Sequence, residues 1–423
     1  MNYKLSKYIV PSVVIMLLMG TYTNIDGFFI GNAAGDSGLA AINIVWPIVA
    51  FINSLGCGIG IGGSVIMNSI RGFGDESRAE STKKSIIALL IISGIFTSLI
   101  LSILYAPLLR MMGAEGEVYV YACDYAAAVC GGAVFQVAGM GLLALLRNDN
   151  KTYLSMTYSI IGLIIHIAAD WMLVGTYGLL GIGISTVFSQ FVTAVLCIIT
   201  LRVKKHTRTS RKLIFKIMSA STAPFGVNFV SSVVLMLTNY FALKTGGTAA
   251  VSAYAVMSYA IYTFDYVFQG VCDGVQPVIS YCSGSNDISG ERRAMRAGAA
   301  ILAICSICFM SLTPVLSAVM PMLFGVSHEA ENMIRTGFVI YALSYPFKAA
   351  VKYICSYYYA SGNFALSNIM TYMDPIIVTP LLLTALVFVF GVNGIWLSMT
   401  LSQLIITIVG MISFIIKKKG VEI

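Results

Sequence analysis

The sequence predicts an all-α integral membrane protein of twelve transmembrane helices, arranged as two six-helix lobes related by a parallel, pseudo-two-fold repeat. Three observations carry that prediction. Of the 423 residues, 58% are hydrophobic and only 10% are charged, which leaves too little polar surface for a soluble domain. Twelve apolar runs recur along the chain, each about 20 residues or longer, enough to cross a hydrocarbon core of roughly 30 Å as helix. The third observation is that the two halves of the chain repeat one another.

The runs cover residues 8–30, 38–66, 85–108, 118–145, 153–174, 178–201, 215–243, 249–280, 295–323, 332–360, 366–390 and 392–416. Each is continuously apolar rather than alternating in polarity, so a β-barrel is excluded. The first run is too long for the core of a cleavable signal and has no small-residue cleavage pattern, so it reads as the first helix. Cations mark every second boundary. Lys4 and Lys7 precede the first run, and Arg71, Arg78, Lys83 and Lys84 separate the second from the third. Arg147 and Lys151 follow the fourth, seven cations lie between Arg202 and Lys216, Arg292, Arg293 and Arg296 follow the eighth, and Lys417 to Lys419 close the last. These segments hold 21 of the 26 lysines and arginines, whereas the opposite side keeps Arg110, Lys244 and Arg335. Such asymmetry predicts both termini in the cytoplasm of a multi-pass cell-membrane protein. It also explains the net charge of +8 as a topology determinant in contact with the bilayer, so no nucleic-acid partner is expected. Cys305 and Cys308 form a CxxC inside an apolar run, where cysteine packs as a small hydrophobe, and no structural metal is expected there.

A shift of 212 places Leu39, Ala41, Gly58, Gly62 and Gly72 on Val251, Ala253, Gly270, Gly274 and Gly284. A shift of 213 places Ser185, Ser189 and Gln190 on Ser398, Ser402 and Gln403. Six helices per half is an even number, so the halves cross the membrane in the same sense. The expected organisation is an N-lobe over residues 1–201, a cytoplasmic linker over 202–214 and a C-lobe over 215–423. Two like lobes across a central cleft can rock, which is the geometry of alternating access.

An ionised side chain in mid-bilayer costs roughly 2.5–3.5 kcal/mol on insertion scales, so each one calls for a reason. The first half carries Asp26 on helix 1, and His166 and Asp170 one turn apart on helix 5. Tyr22 shares the Asp26 face, and Thr186 and Gln190 repeat the spacing on helix 6. If these faces meet, they form a polar pocket in an oily lobe. A structural His166–Asp170 ion pair is one reading, and a cation or proton site is the other. Carboxyl and imidazole groups held together exchange protons as a coupled set, which favours the second. The second half replaces Asp26 by Thr238 and Asp170 by a leucine. It carries instead Asp265, Gln269 and Asp273 on helix 8, Lys348 and Lys352 on helix 10, and Asp374 at the start of helix 11. Mutual neutralisation and substrate binding both account for these charges. Tyr259, Tyr262 and Tyr266 fit one face of helix 8 and suit a cavity for flat organic molecules, although membrane-interface belts use the same residues.

The segment Tyr22-Thr-Asn-Ile-Asp26-Gly-Phe-Phe-Ile-Gly31, followed by Gly38-Leu-Ala-Ala-Ile42, resembles the first signature of the multidrug and toxic compound extrusion (MATE) family, and Pro11 stands where its members often bend helix 1. His166-Ile-Ala-Ala-Asp170 followed by Gly178-Leu-Leu-Gly-Ile-Gly-Ile-Ser-Thr186 is similar to the family's helix 5–6 pattern. Gly274-Val-Gln-Pro-Val-Ile-Ser-Tyr281 is similar to that of helix 8, and Gly391 with Gly394-Ile-Trp396 to the one before helix 12. The resemblance spans essentially the whole chain. It implies an antiporter that exports amphipathic drugs or toxins in exchange for inward H⁺ or Na⁺, with Asp26, Asp170, His166, Thr186 and Tyr22 at the coupling-ion site. The expected substrate cavity holds Tyr259, Tyr262, Tyr266, Asp265, Asp273, Gln269, Lys348 and Lys352. The family usually has asparagine where this chain has His166, and imidazole nitrogen is a poor ligand for a hard alkali cation, so protons are the expected coupling ion. A monomer without cofactor is expected. Two rivals stand beside this reading. One is a flippase for lipid-linked oligosaccharide or lipid, which a positively lined cleft would serve. The other is a membrane-embedded enzyme, for which no HExxH, GxSxG or paired catalytic aspartate motif is found.

Overall fold

The computed structural model describes residues 5–202, 211–324 and 326–418. The expected linker over 202–214 therefore falls largely outside the described residues, as do Lys4 and Lys419. Among the described residues the chain forms twelve helices, several of them joined end to end into long apolar spans. The N-lobe has α1 (Ser6–Gly35), α2 (Ser37–Gly72), α3 (Glu76–Met111), α4 (Gly116–Gly131 with Ala133–Asn148), α5 (152–177) and α6 (179–201). The C-lobe has α7 (211–246), α8 (248–284), α9 (Ile288–Phe324), α10 (His328–Ala342 with Tyr345–Ala360), α11 (Phe364–Phe390) and α12 (Val392–Lys418). α4 bends by 58° at Gly132.

The repeat extends to the backbone. The hairpins α1–α2, α5–α6, α7–α8 and α11–α12 each turn on one glycine, Gly35, Gly178, Gly247 and Gly391. Their φ values are 55°, 55°, 61° and 57°, and their ψ values run from −133° to −154°. That region is open essentially to glycine alone, so a single residue reverses the chain without a loop.

The lobes pack on each other through equally matched contacts. A Cβ at Gly62 of α2 would lie 2.5 Å from the Ala220 carbonyl oxygen of α7, and one at Gly58 would lie 2.8 Å from Phe225 Cβ. At the equivalent positions of α8, Cβ atoms on Gly274 and Gly270 would each lie 2.5 Å from the Cα of Ile9 and Val13 on α1. Gly72 and Gly284 meet the backbone of residues 281 and 69 in the same reciprocal way. Small residues let helix backbones approach where lipid offers no hydrophobic drive for association. All these contacts lie in the halves of α1, α2, α7 and α8 remote from Gly35 and Gly247. The lobes are thus closed together on the side from which α1 and α7 begin.

One buried ion pair reinforces that closure. Arg147 at the end of α4 reaches into the C-lobe and places Nη2 2.9 Å from Asp273 Oδ2 on α8, with both side chains 2% exposed. Asn148 beside it accepts from Asn68 at 2.8 Å. Arg147 was expected among the loop cations, and the structure corrects this: it lies in the last turn of α4, buried against Asp273 of α8. Removing one partner of such a pair leaves a buried charge and typically costs about 3–5 kcal/mol, whereas apolar replacement of both is often neutral. Asp273→Ala is therefore expected to lower the midpoint of thermal unfolding in detergent, and Arg147→Met with Asp273→Leu to recover most of the loss. Equal losses in the single and double variants would contradict the pairing.

Candidate functional site

α1, α5 and α6 bring together the polar residues of the N-lobe. His166 Nε2 lies 2.9 Å from Asp26 Oδ1 and 3.3 Å from Asp170 Oδ2, so one nitrogen faces two carboxylates. The ligand atoms of these three residues all lie within 4.8 Å of one another, and all three residues are buried. The α5–α6 hairpin brings the Ser185 hydroxyl against Asp170, to which it donates. Tyr125 of α4 stands over the other end of the cluster, its hydroxyl 3.4 Å from Asp26 Oδ2. The Tyr22 ring lies 4.7 Å from the imidazole, and the glycine at position 162 leaves room for its hydroxyl, which a Cβ there would approach to 2.9 Å.

Among the described residues, no lysine or arginine pairs with Asp26 or Asp170, and their ion pairs are with His166 alone. A single Nε2–H serves one strong acceptor at a time, so the imidazole cannot satisfy both carboxylates equally. An unbalanced charge held out of water is costly, and the cluster is neutralised only by taking up cations. The metal-ligating potential of the three residues is that of two carboxylates and one imidazole.

Thr186, assigned to this site by resemblance, donates along its own helix to the Ile182 carbonyl at 3.0 Å, and its neighbour Ser185 makes the carboxylate contact. Ser185 and Tyr125 are the residues that sequence reasoning missed. A signal existed for Ser185, since it lies as far beyond Gly178 as Asp170 lies before it, to within one residue. Tyr125 had none.

The C-lobe charges arrange differently. Asp265 receives both Lys348, at 3.2 Å, and Lys352, at 3.0 Å. Lys352 also donates to Gln269 Oε1 at 3.3 Å, and Gln269 Nε2 donates to Asp273 Oδ1 at 2.8 Å. Because Asp273 holds Arg147, a continuous polar chain links the lysines to the inter-lobe contact. The lysines, with Tyr254, Tyr262, Tyr341 and Asp374, line a cavity within the C-lobe, while Asp265, Gln269 and Asp273 are buried behind its wall. Tyr262 alone of the three expected tyrosines lines it. Tyr259 is half-exposed and stacks on Phe324 of α9 with centroids 5.1 Å apart, and Tyr266 packs against Gly20 of α1. The face is split because α8 contacts α9 on one side and the other lobe on the other. Asp374 was expected at the start of α11 but lies ten residues in. It opens a π-helical turn, Asp374–Val378, at Pro375, whose ring cannot supply the usual amide donor. Its oxygens accept from Thr379 at 2.8 Å and Gln403 at 2.7 Å.

The MatE family model matches residues 11–172 and again 224–384, once in each lobe. The chain belongs to the MatE family. It is a multi-span membrane transporter of that family, not an enzyme. The Multidrug export protein MepA of Staphylococcus saprophyticus is 21% identical over 95% of this chain and 91% of its own length. That of Staphylococcus aureus strain MRSA252 is 21% identical over 77% of this chain and 72% of its own length. Among solved structures, a MATE in complex with MaL6 superposes with a TM-score of 0.91 at 18% identity, over 98% of this chain and 96% of that one. A multidrug resistance MATE family transporter in an outward-facing conformation gives 0.90 at 18% identity, over 98% of this chain and 95% of that one. A MOP superfamily transporter from Pyrococcus furiosus, described by the reverse polarity of its binding pocket, gives 0.89 at 19% identity, over 96% and 94%. These likenesses establish the two-lobed MATE fold.

Proposed function

We propose that this MATE protein is a secondary-active efflux antiporter, exporting amphipathic organic compounds from the cell in exchange for protons. The observation that carries the reading is the enclosed Asp26–His166–Asp170 cluster, whose carboxylates pair with no fixed cation among the described residues. The names of the staphylococcal relatives support drug export. In this reading the N-lobe (1–201) loads the coupling ion and the C-lobe (215–423) contributes the substrate cavity, with residues 202–214 as linker. The cation asymmetry supports cytoplasmic termini, and in this reading the closed side is cytoplasmic and the arrangement outward-facing. Protonation from outside removes charge from the cluster, lets the helices around it repack and releases substrate outward. A proton shifts that equilibrium only by its differential affinity for the two states.

Imidazole nitrogen at the centre of the cluster disfavours a hard alkali cation, which takes oxygen ligands. In proteoliposomes, an imposed pH gradient is therefore expected to drive dye efflux at symmetric Na⁺. A Na⁺ gradient at fixed pH is expected to drive little. Robust Na⁺-driven flux abolished by Asp170→Asn would overturn proton coupling, and flux under neither gradient would overturn export altogether.

A further inference from the structure

We propose that the C-lobe cavity takes the anionic group of its substrate on Lys348 and Lys352, so that this transporter favours amphipathic anions over cations. The inference deepens the export reading and rests on it. Lys348 and Lys352 stand one turn apart on α10 and both face the cavity. Each ammonium has three donors. Lys348 uses two, on Asp265 and on the Tyr341 hydroxyl at 3.4 Å, and Lys352 uses two, on Asp265 and Gln269. One N–H on each lysine is left uncommitted among the described residues. Two such donors on one helix face make a two-point anchor for an oxyanion.

The charge balance points the same way. Asp265 is the carboxylate paired with the two ammonium groups, and it sits behind them rather than in the lining. On the α10 face an entering ligand therefore meets the lysines first, with one positive charge in excess over Asp265; Asp374 balances that charge over the cavity as a whole, so the anchor is local to this face. Asp374 on another wall has each of its oxygens engaged, by Thr379 and Gln403, and no ammonium within salt-bridge distance among the described residues. Most of the rest of the lining is apolar or aromatic, including Val230, Val234, Met370, Met399 and Tyr262, with Ser231, Thr371, Thr379 and Gln403 as neutral polar groups, and suits a flat organic body. The polar chain through Gln269 and Asp273 to Arg147 gives an anion on Lys352 a physical route to the inter-lobe contact, because pulling the ammonium away loosens Gln269.

The test uses two dyes with related xanthene bodies and opposite net charge, sulforhodamine B (anionic) and rhodamine 6G (cationic), transported by the full-length protein in proteoliposomes. Wild type is expected to move sulforhodamine B with a KM at least about tenfold below that for rhodamine 6G, since charge complementarity sets selectivity. Lys348→Gln/Lys352→Gln/Asp265→Asn, which empties the wall of charge without orphaning a partner, is expected to lose that preference while still moving rhodamine 6G, which reports a folded protein. Should the triple variant move neither dye, anisotropy of bound sulforhodamine B on detergent-solubilised Asp265→Asn decides: tighter binding than wild type supports the site and weaker binding overturns it. Rhodamine 6G moved in preference to sulforhodamine B by wild type, or sulforhodamine B transport undiminished in the triple variant, would also overturn it while export stands. Failure of both dyes in wild type under every gradient would overturn the export reading and this inference together.

Discussion

Asp170→Asn is expected to abolish pH-driven efflux without unfolding the protein. Asparagine matches aspartate in size and its amide oxygen still accepts from the Ser185 hydroxyl, so the α5–α6 hairpin keeps its contact. What disappears is one of the two carboxylates facing His166 Nε2. The imidazole then has a single anionic partner, Asp26, and the cluster no longer changes charge by enough to bias two arrangements of the lobes. Initial rates of dye efflux driven by a pH gradient should fall by at least about tenfold, because an ion shifts a two-state equilibrium only through its differential binding. Asp26→Asn should do the same. Energy-independent dye binding to both variants should survive, since the C-lobe cavity is separate. Full pH-driven efflux by both variants would remove the cluster from the mechanism.

The second large effect is expected at the glycine seam. A Cβ at Gly62 would fall 2.5 Å from the Ala220 carbonyl oxygen and 2.6 Å from Ser221 Cα, both main-chain atoms that no rotamer change can move aside. Overpacking of this kind costs about 1–3 kcal/mol or more, and here the cost falls only on the state in which the lobes touch. Gly62→Leu should therefore abolish transport while leaving each lobe folded. It should also raise labelling of Cys57, buried at 5% one residue from Gly58 on the same helix, in a protein retaining that cysteine alone. Gly274→Leu, its repeat partner against Ile9, should behave alike. Transport at wild-type rates in either variant would show that this closed contact is not visited during turnover.

The twelve spans and their pairing into halves were legible because each signal is local. Run length against bilayer thickness decides a span, and a repeat offset of 212 or 213 is visible without any distance. The N-lobe cluster was legible in part for the same reason, as His166 and Asp170 share a turn of helix. Its remaining partners come from other helices, and there the chain offered little. Tyr125 had no sequence signal, and Ser185 was passed over for Thr186 because a one-residue step turns a helical side chain by about 100°, as 3.6 residues complete a turn.

By itself, the sequence determined that a long apolar chain must satisfy its backbone as helices, and that its two halves repeat one another. It also determined that charged side chains were left where oil penalises them, whereas the role of four equivalent glycines as single-residue hairpin turns came only from the backbone angles. Only the tertiary structure decided which charges meet. Arg147 leaves the loop side to join Asp273, Asp265 takes both lysines, and Tyr259 faces away from the cavity that Tyr262 lines. The physical reason is that hydropathy and helical period are properties of neighbours along the chain. Ion pairing acts over a few ångströms in space between helices, whose bends and crossings no single segment encodes.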